Sequence, residues 1–233
     1  MQNQNLAGSN PETQKSDYYV ALIDSGIANI GSVEKAMSRV GIPVIVTNVP
    51  ATIKGAQGVV FPGVGAFSRA AEILHEKGLV VVIKEVVAKR VPFLGICLGL
   101  QLLFEYSEEK YEHETLFPKG LSLVGGGVKK FPPGVQIPHV GWNRAVPVKE
   151  HPLWEGLPNA AYFYFTHSFF VSPDQDFTIL AQTDYSGLQF SSAVAESNLM
   201  GVQFHPEKSG PVGLRLLHNF GKIVQDPTVL FNS

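Results

Sequence analysis

The chain has 233 residues, 45% of them hydrophobic and 16% charged, with a formal charge of −2. That composition excludes a disordered chain and leaves enough apolar surface for one domain with a full core. The near-neutral balance gives nucleic acid or an anionic membrane no electrostatic footing, and a single cysteine allows no internal disulfide, which fits a reducing, cytoplasmic setting.

Residues 1–17, MQNQNLAGSNPETQKSD, are polar and lack the basic start and apolar stretch of a secretory signal. They read as a disordered tail ahead of a single domain over 18–233. YYVALID then has the shape of a short buried strand. NIGSVEKAMSRVG has helical spacing, with Val33, Ala36 and Val40 on one side and Gly41 as a stop. PVIVTN and QGVVFPG are two more short apolar runs ending in turn residues. Residues 66–90 read as helical; their apolar window GLVVVIKEVVAKRV is interrupted by Lys84, Glu85, Lys89 and Arg90, so it does not read as a membrane span. VPFLGI is the next strand and LGLQLLFEYS the next helix.

This alternation predicts an α/β fold, a mostly parallel central sheet flanked by helices. The second half changes character. AVPV, AYFYFTHSFFV, FTILAQT, SSAVAES and LMGVQFH read as strands with short links, an additional antiparallel region, with a hairpin turn at Ser197–Asn198. PVGLRLLHNFGKIV closes the chain as an amphipathic helix.

The only cysteine, Cys97, lies in FLGICLGLQ, where a strand turns into a helix. A lone cysteine is more often inert packing. Gly-x-Cys-x-Gly at such a junction, however, is the pattern of a nucleophile elbow, in which a strained turn lifts the side chain off the sheet and a Cβ at either glycine would crowd a neighbour. The start of a helix also favours an anionic sulfur, and the N–H of Leu98 points to where charge would gather on an attacked carbonyl. A thiolate that must expel a poor leaving group needs a proton donor. His205 lies in VQFHPEKSG; in an extended segment Glu207 falls on its side, and Pro206 holds His205 extended. A carboxylate there would select the tautomer and stabilise the imidazolium; the plainer alternative is a surface ion pair. A third element, PGVGAF at residues 62–67, is either an ordinary tight turn or a set of backbone N–H donors for an anion. In a parallel sheet it shares the carboxyl edge with Cys97, the edge where such sheets bind ligands.

GICLGLQ, PGVGAF and HPEKSG, in this order, resemble the class I, triad-type glutamine amidotransferases, whose fold is flavodoxin-like. With PHVGWN and IDSGIANIGSV they resemble the glutaminase branch that serves imidazole glycerol phosphate synthesis in histidine biosynthesis, over about residues 18–225. The resemblance implies that Cys97 attacks the side-chain amide of L-glutamine, that His205 moves the protons and that Glu207 holds His205. It implies an oxyanion hole from Leu98 and the Gly63–Val64–Gly65 backbone, glutamine contacts from Gln101, His167, Ser168 and Phe169, and no metal or organic cofactor. It implies as partner a cyclase subunit with a (β/α)8 barrel, in a heterodimer, with Asn29, Pro138, Trp142, Asn143 and Lys208 at the interface. For Trp142 a core position is an equal alternative on composition. Where the family often has Asp-Tyr-Gly this chain has Asp24-Ser25-Gly26, and Phe169 stands where a tyrosine is common. The rival readings are a cysteine α/β-hydrolase, another amidotransferase of the class, and a silent regulatory subunit of the same fold.

Overall fold

A computed structural model describes residues 18–111 and 115–231; the tail reading of residues 1–17 lies outside them. The first half alternates as its periodicity requires. β1 (Val20–Ile23) is followed by α1 (Ile30–Arg39), β2 (Val44–Thr47), α2 (Pro50–Lys54) and β3 (Gly58–Gly63). Then come α3 (Phe67–Glu76), α4 (Leu79–Ala88), β4 (Phe93–Cys97) and the single turn α5 (Leu98–Gln101). After β5 (Tyr106–Ser107), β6 (Gly126–Lys130), β7 (His139–Pro147), β8 (Ala161–His167) and β9 (Phe169–Pro173), three strands complete the sheet. These are β10 (Ile179–Tyr185), β11 (Leu188–Glu196) and β12 (Leu199–Val202), and α6 (Gly210–Gln225) follows.

The sheet runs β2-β1-β3-β4-β12-β11-β10-β7-β8. Its first five strands are parallel, which is the flavodoxin-like order; from β11 onward the neighbours are antiparallel. β6 and β9 pair beside this path, with β5 on β6. Both faces of β1, β3, β4 and β12 are covered, so these strands carry no charged or hydroxyl side chain, whereas β2 at the edge leaves Ile45 and Val46 exposed. In β1, Val20 and Leu22 join the core under α1 and α6, while Ala21 and Ile23 join the core under α3 and α4. No described helix is long and apolar enough to cross a membrane.

Three expectations are corrected. Residues 66–90 form two helices, broken at Gly78, whose φ of +64° suits glycine. The helix expected over LGLQLLFEYS stops at Gln101. There the carbonyls of Leu102, Leu103 and Phe104 accept from Leu121, Leu123 and Ser122, so the chain unwinds to pair with a later segment while its apolar side chains stay fully buried. AYFYFTHSFFV is two strands, and Ser168 between them lets β9 leave β8 for β6. The Ser197–Asn198 turn does join antiparallel β11 and β12, with Ser197 at φ +54°.

Candidate active site

Parallel β3, β4 and β12 end at one edge, and Gly63 sits in register with Cys97. Cys97 has φ +55° and ψ −110°, a left-handed conformation rarely adopted by a residue with a side chain, so the turn into α5 is strained. The flanking glycines allow it: a Cβ on Gly95 would stand 2.8 Å from the Gly99 carbonyl oxygen, and one on Gly99 would overlap the Phe61 carbonyl of β3. Gly99→Ala is therefore expected to cost at least about 3 kcal/mol by overpacking against backbone that cannot yield. Chemical denaturation would measure it; unchanged stability would mean that β3 and α5 separate freely.

His205 follows β12 in extended conformation, and its backbone is pinned from both sides. Its N–H donates to the Tyr164 carbonyl at 2.9 Å, and its carbonyl accepts from the Ser209 hydroxyl at 2.6 Å. The Glu207 carboxylate meets His205 Nδ1 at 2.8 Å, both side chains being buried. The route differs from the strand alternation expected: Pro206–Lys208 is a 3-10 turn, which folds the carboxylate back under the ring. Because Nδ1 is taken, the interaction with the Cys97 sulfur falls to Nε2, which is buried and closes no hydrogen bond. Burial, the largest influence, pushes the imidazole pKa down, but the Cys97 sulfur and the Glu207 carboxylate outweigh it and hold it at about 9. A cationic imidazole is the counter-charge that an anionic sulfur needs.

Beside the sulfur lies a cavity of about 280 Å³. The expected Val64, Gly65, Leu98, Gln101, His167, Ser168 and Phe169 all line it, and so does Pro138. Gly63 does not line it; it packs behind, where a Cβ would stand 3.0 Å from that of Leu98. Phe169 contributes its carbonyl, which accepts from Gln101 Nε2 at 3.0 Å, so the missing phenol changes nothing in this contact. Val64 N–H is already committed: it donates to the Ile27 carbonyl at 2.8 Å.

Three residues passed over in the sequence belong here. Glu109 lines the cavity and accepts from Phe67 N–H at 3.0 Å, while burial raises its pKa. Thr166 presents its carbonyl 4.0 Å from Cys97 Sγ, and Gln203 Nε2 approaches the sulfur at 3.8 Å. A larger groove of about 810 Å³, between Pro152–Trp154 and α6, shares no lining residue with this cavity.

The family model described as "Glutamine amidotransferase class-I" matches residues 21–224. The chain is 47% identical to "Imidazole glycerol phosphate synthase subunit HisH" of Moorella thermoacetica, over 88% of this chain and 95% of that one. It is 45% identical to the protein of the same name from Thermosynechococcus vestitus, over 89% and 98%. The chain belongs to the HisH family of class-I glutamine amidotransferases. Its fold is also that of a solved glutamine amidotransferase, with a TM-score of 0.68 at 16% identity over 88% of this chain and 98% of that one. A chain of PurLQS from Thermotoga maritima has the same TM-score at 14% identity, over 87% and 97%.

The residues expected at a partner surface of this amidotransferase surround the same edge. Asn29 is exposed at the start of α1, and Pro138 is exposed at the cavity. Trp142 is 56% exposed on β7, which decides against a core position. Its ring lies edge-on to Tyr164, over which the exposed Lys208 ammonium sits at 5.7 Å. Asn143, the next residue, points to the other side of the strand and is half-buried.

Proposed function

We propose that this chain is the glutaminase subunit of an imidazole glycerol phosphate synthase, with Cys97, His205 and Glu207 as its catalytic triad. The reading rests on the sulfur and the buried imidazole–carboxylate pair meeting at one sheet edge, beside a cavity of about 280 Å³ large enough for an amino acid. Cys97 Sγ attacks the amide carbon of L-glutamine, and the oxyanion is held by Leu98 N–H, which opens α5 and has no intrahelical acceptor, and by the Gly63–Gly65 backbone. His205 gives its Nε2 proton to the departing nitrogen, so the C–N bond breaks with release of ammonia and a γ-glutamyl thioester remains. Water then attacks the thioester while His205 takes its proton. Glutamate leaves, and the sulfur is again an anion beside an imidazolium. Gln101, the backbone around Ser168 and Phe169, and His167 shape the glutamine pocket. Glu109 is placed to receive the α-ammonium, a pairing that would offset the burial of its carboxylate.

The named relatives are subunits of a synthase. Ammonia in neutral water is mostly protonated and lost, so the acceptor site has to be close. We propose as partner a cyclase subunit with a (β/α)8 barrel, bound as a heterodimer over the Trp142, Lys208, Asn29, Pro138 and Asn143 edge. It would join the ammonia to a phosphoribosyl-bearing intermediate, yielding imidazole glycerol phosphate and an aminoimidazole carboxamide ribotide.

The pH dependence tests the triad. With the folded pKa raised from 6.5 to about 9, the imidazolium contributes stability that is fully present below 6.5 and is lost as pH rises through about 9. The same ionisation sets the alkaline limb of kcat/KM for glutamine. Glu207→Gln removes one of the two partners that raise the pKa, so that limb is expected to move to lower pH. A limb that stays in place in the variant would remove Glu207 from the triad.

A further inference from the structure

His139, the first residue of β7, is 3% exposed and sits directly opposite His167 of β8 in the strand register. Hydrogen-bond polarity can be assigned along this pair without ambiguity. His167 Nδ1 lies 2.7 Å from the Phe169 carbonyl oxygen, which can only accept, so Nδ1 carries the proton. In a neutral ring His167 Nε2 is then a lone pair, and His139 Nδ1, 2.9 Å away, must be the donor. His139 Nε2 is left as an acceptor for Asn143 Nδ2 at 3.3 Å, whose other hydrogen goes to the Asp184 carbonyl at 2.8 Å. Burial supports the neutral state of both rings, holding His139 at about 4 and His167 at about 3. The plane of His139 is fixed as well: it is stacked between Tyr185, at 3.9 Å, and Phe165, at 4.8 Å between ring centres.

The chain continues inward. The Phe169 carbonyl that accepts from His167 also accepts from Gln101 Nε2. Gln101 Nε2 reaches Gln203 Oε1 at 3.2 Å, and Gln203 Nε2 approaches the Cys97 sulfur at 3.8 Å. A continuous line of hydrogen bonds thus joins half-exposed Asn143, next to Trp142, to the nucleophile. Every donor in it has one direction available.

We propose that His139 is a positioning residue for the glutamine site: by donating to the Nε2 lone pair of His167 it fixes the placement and plane of that ring, hence the Phe169 carbonyl that anchors Gln101, and so ties the pocket to Asn143 on the partner-facing strand. This rests on the glutaminase reading for its kinetic consequence, but not for its tautomers. His139 touches neither substrate nor sulfur and acts through His167.

Two substitutions of similar bulk separate positioning from packing. In His139→Asn the amide N–H falls near the place of Nδ1 and can still donate to His167. In His139→Gln it falls near the place of Nε2 and cannot. Measured on the complex with the partner cyclase, His139→Gln is expected to raise KM for glutamine about tenfold with kcat within about twofold, whereas His139→Asn stays within about threefold of wild type. Nitrogen-15 spectra of the histidines provide the second readout. The wild type is expected to show His139 and His167 as single Nδ1–H tautomers with His167 Nε2 shifted as a hydrogen-bond acceptor, and that Nε2 shift is lost in the Gln variant alone. Equal KM values in the two variants, or an Nε2–H tautomer for His167 in the wild type, overturns the proposal. A wild-type complex that does not hydrolyse glutamine instead sinks the glutaminase reading, and the tautomers still decide the relay; they also decide it if neither variant folds.

Discussion

Cys97→Ala is expected to reduce glutamine hydrolysis by at least about 10⁴-fold, while partner binding and synthesis fed with ammonium salts persist. The expectation follows from what the substitution removes and what it leaves. Alanine deletes the one atom that forms the bond to the amide carbon, and no other nucleophilic side chain lines the described cavity in a position to replace it beside Leu98 N–H. The strained turn at φ +55° is kept, since alanine bears that backbone conformation at a similar cost to cysteine. The packing loss is small, because the sulfur's polar contacts to Thr166 and Gln203 are long, at 4.0 and 3.8 Å. Loss of one buried sulfur should therefore lower stability by only about 1 kcal/mol. The variant also removes one of the two groups that raise the His205 pKa, so the stability carried by that imidazolium at neutral pH diminishes. Glutamate release and ammonium-fed product formation, measured side by side on a complex of verified melting temperature, give the answer. Glutamine turnover that survives in the variant would falsify the assignment of the nucleophile; loss of the ammonium-fed reaction as well would show damage beyond the site.

The parallel half of the fold and the meeting of Cys97, His205 and Glu207, the proposed triad, are legible in the sequence because each depends on local patterning. Short apolar runs alternate with amphipathic helices, Gly-x-Cys-x-Gly marks a strand-to-helix elbow, and His-Pro-Glu keeps two groups within reach of one another. What escapes is set by contacts between distant segments. Leu102–Phe104 continue a helical pattern, yet their carbonyls are claimed by residues 121–123 and the helix ends. Glu109 sits in the run SEEKYEHE, which has the composition of a solvated surface, and only the fold brings it to the cavity beside Val64. His139 stands in PHVGWN, where the neighbouring tryptophan draws the eye, and its role depends on a strand register that joins it to His167. The Glu207 contact was expected for a different geometric reason from the one found, since a 3-10 turn and not strand alternation delivers the carboxylate.

The isolated chain is expected to turn over glutamine slowly, and the proposed partner cyclase together with its phosphoribosyl-bearing ligand to raise that rate by about 10²–10³-fold, the measured worth of one oxyanion-hole donor. The motif PGVGAF brings the proposed oxyanion loop to the cavity beside Cys97, but its middle amide is committed elsewhere. Val64 N–H donates to the Ile27 carbonyl at 2.8 Å, so it cannot serve an oxyanion on the Cys97 side until that bond opens. The cost of opening is modest. One backbone hydrogen bond contributes about 1 kcal/mol net, Val64 is flanked by glycines, Gly65 already sits at φ +99°, and among the described residues no atom beyond its two chain neighbours lies within 4 Å of where a Cβ on Gly65 would stand. A rotation of this peptide is therefore within reach of the binding energy of a partner seated on the surrounding edge. Ile27 lies just ahead of Asn29, one of the exposed residues proposed for that interface, so contact there bears directly on the segment that holds Val64 in its present orientation. The amide either faces Ile27 or faces the substrate, and the partner need only favour the second state by a few kcal/mol to shift the population fully. Steady-state glutamate release from the chain alone, with cyclase, and with cyclase plus its phosphoribosyl-bearing ligand resolves the three levels. Equal turnover in all three would mean that the Val64 amide is either never used or never withheld. The gain should appear chiefly in kcat, because the donor is needed where negative charge develops and not where glutamine is first held.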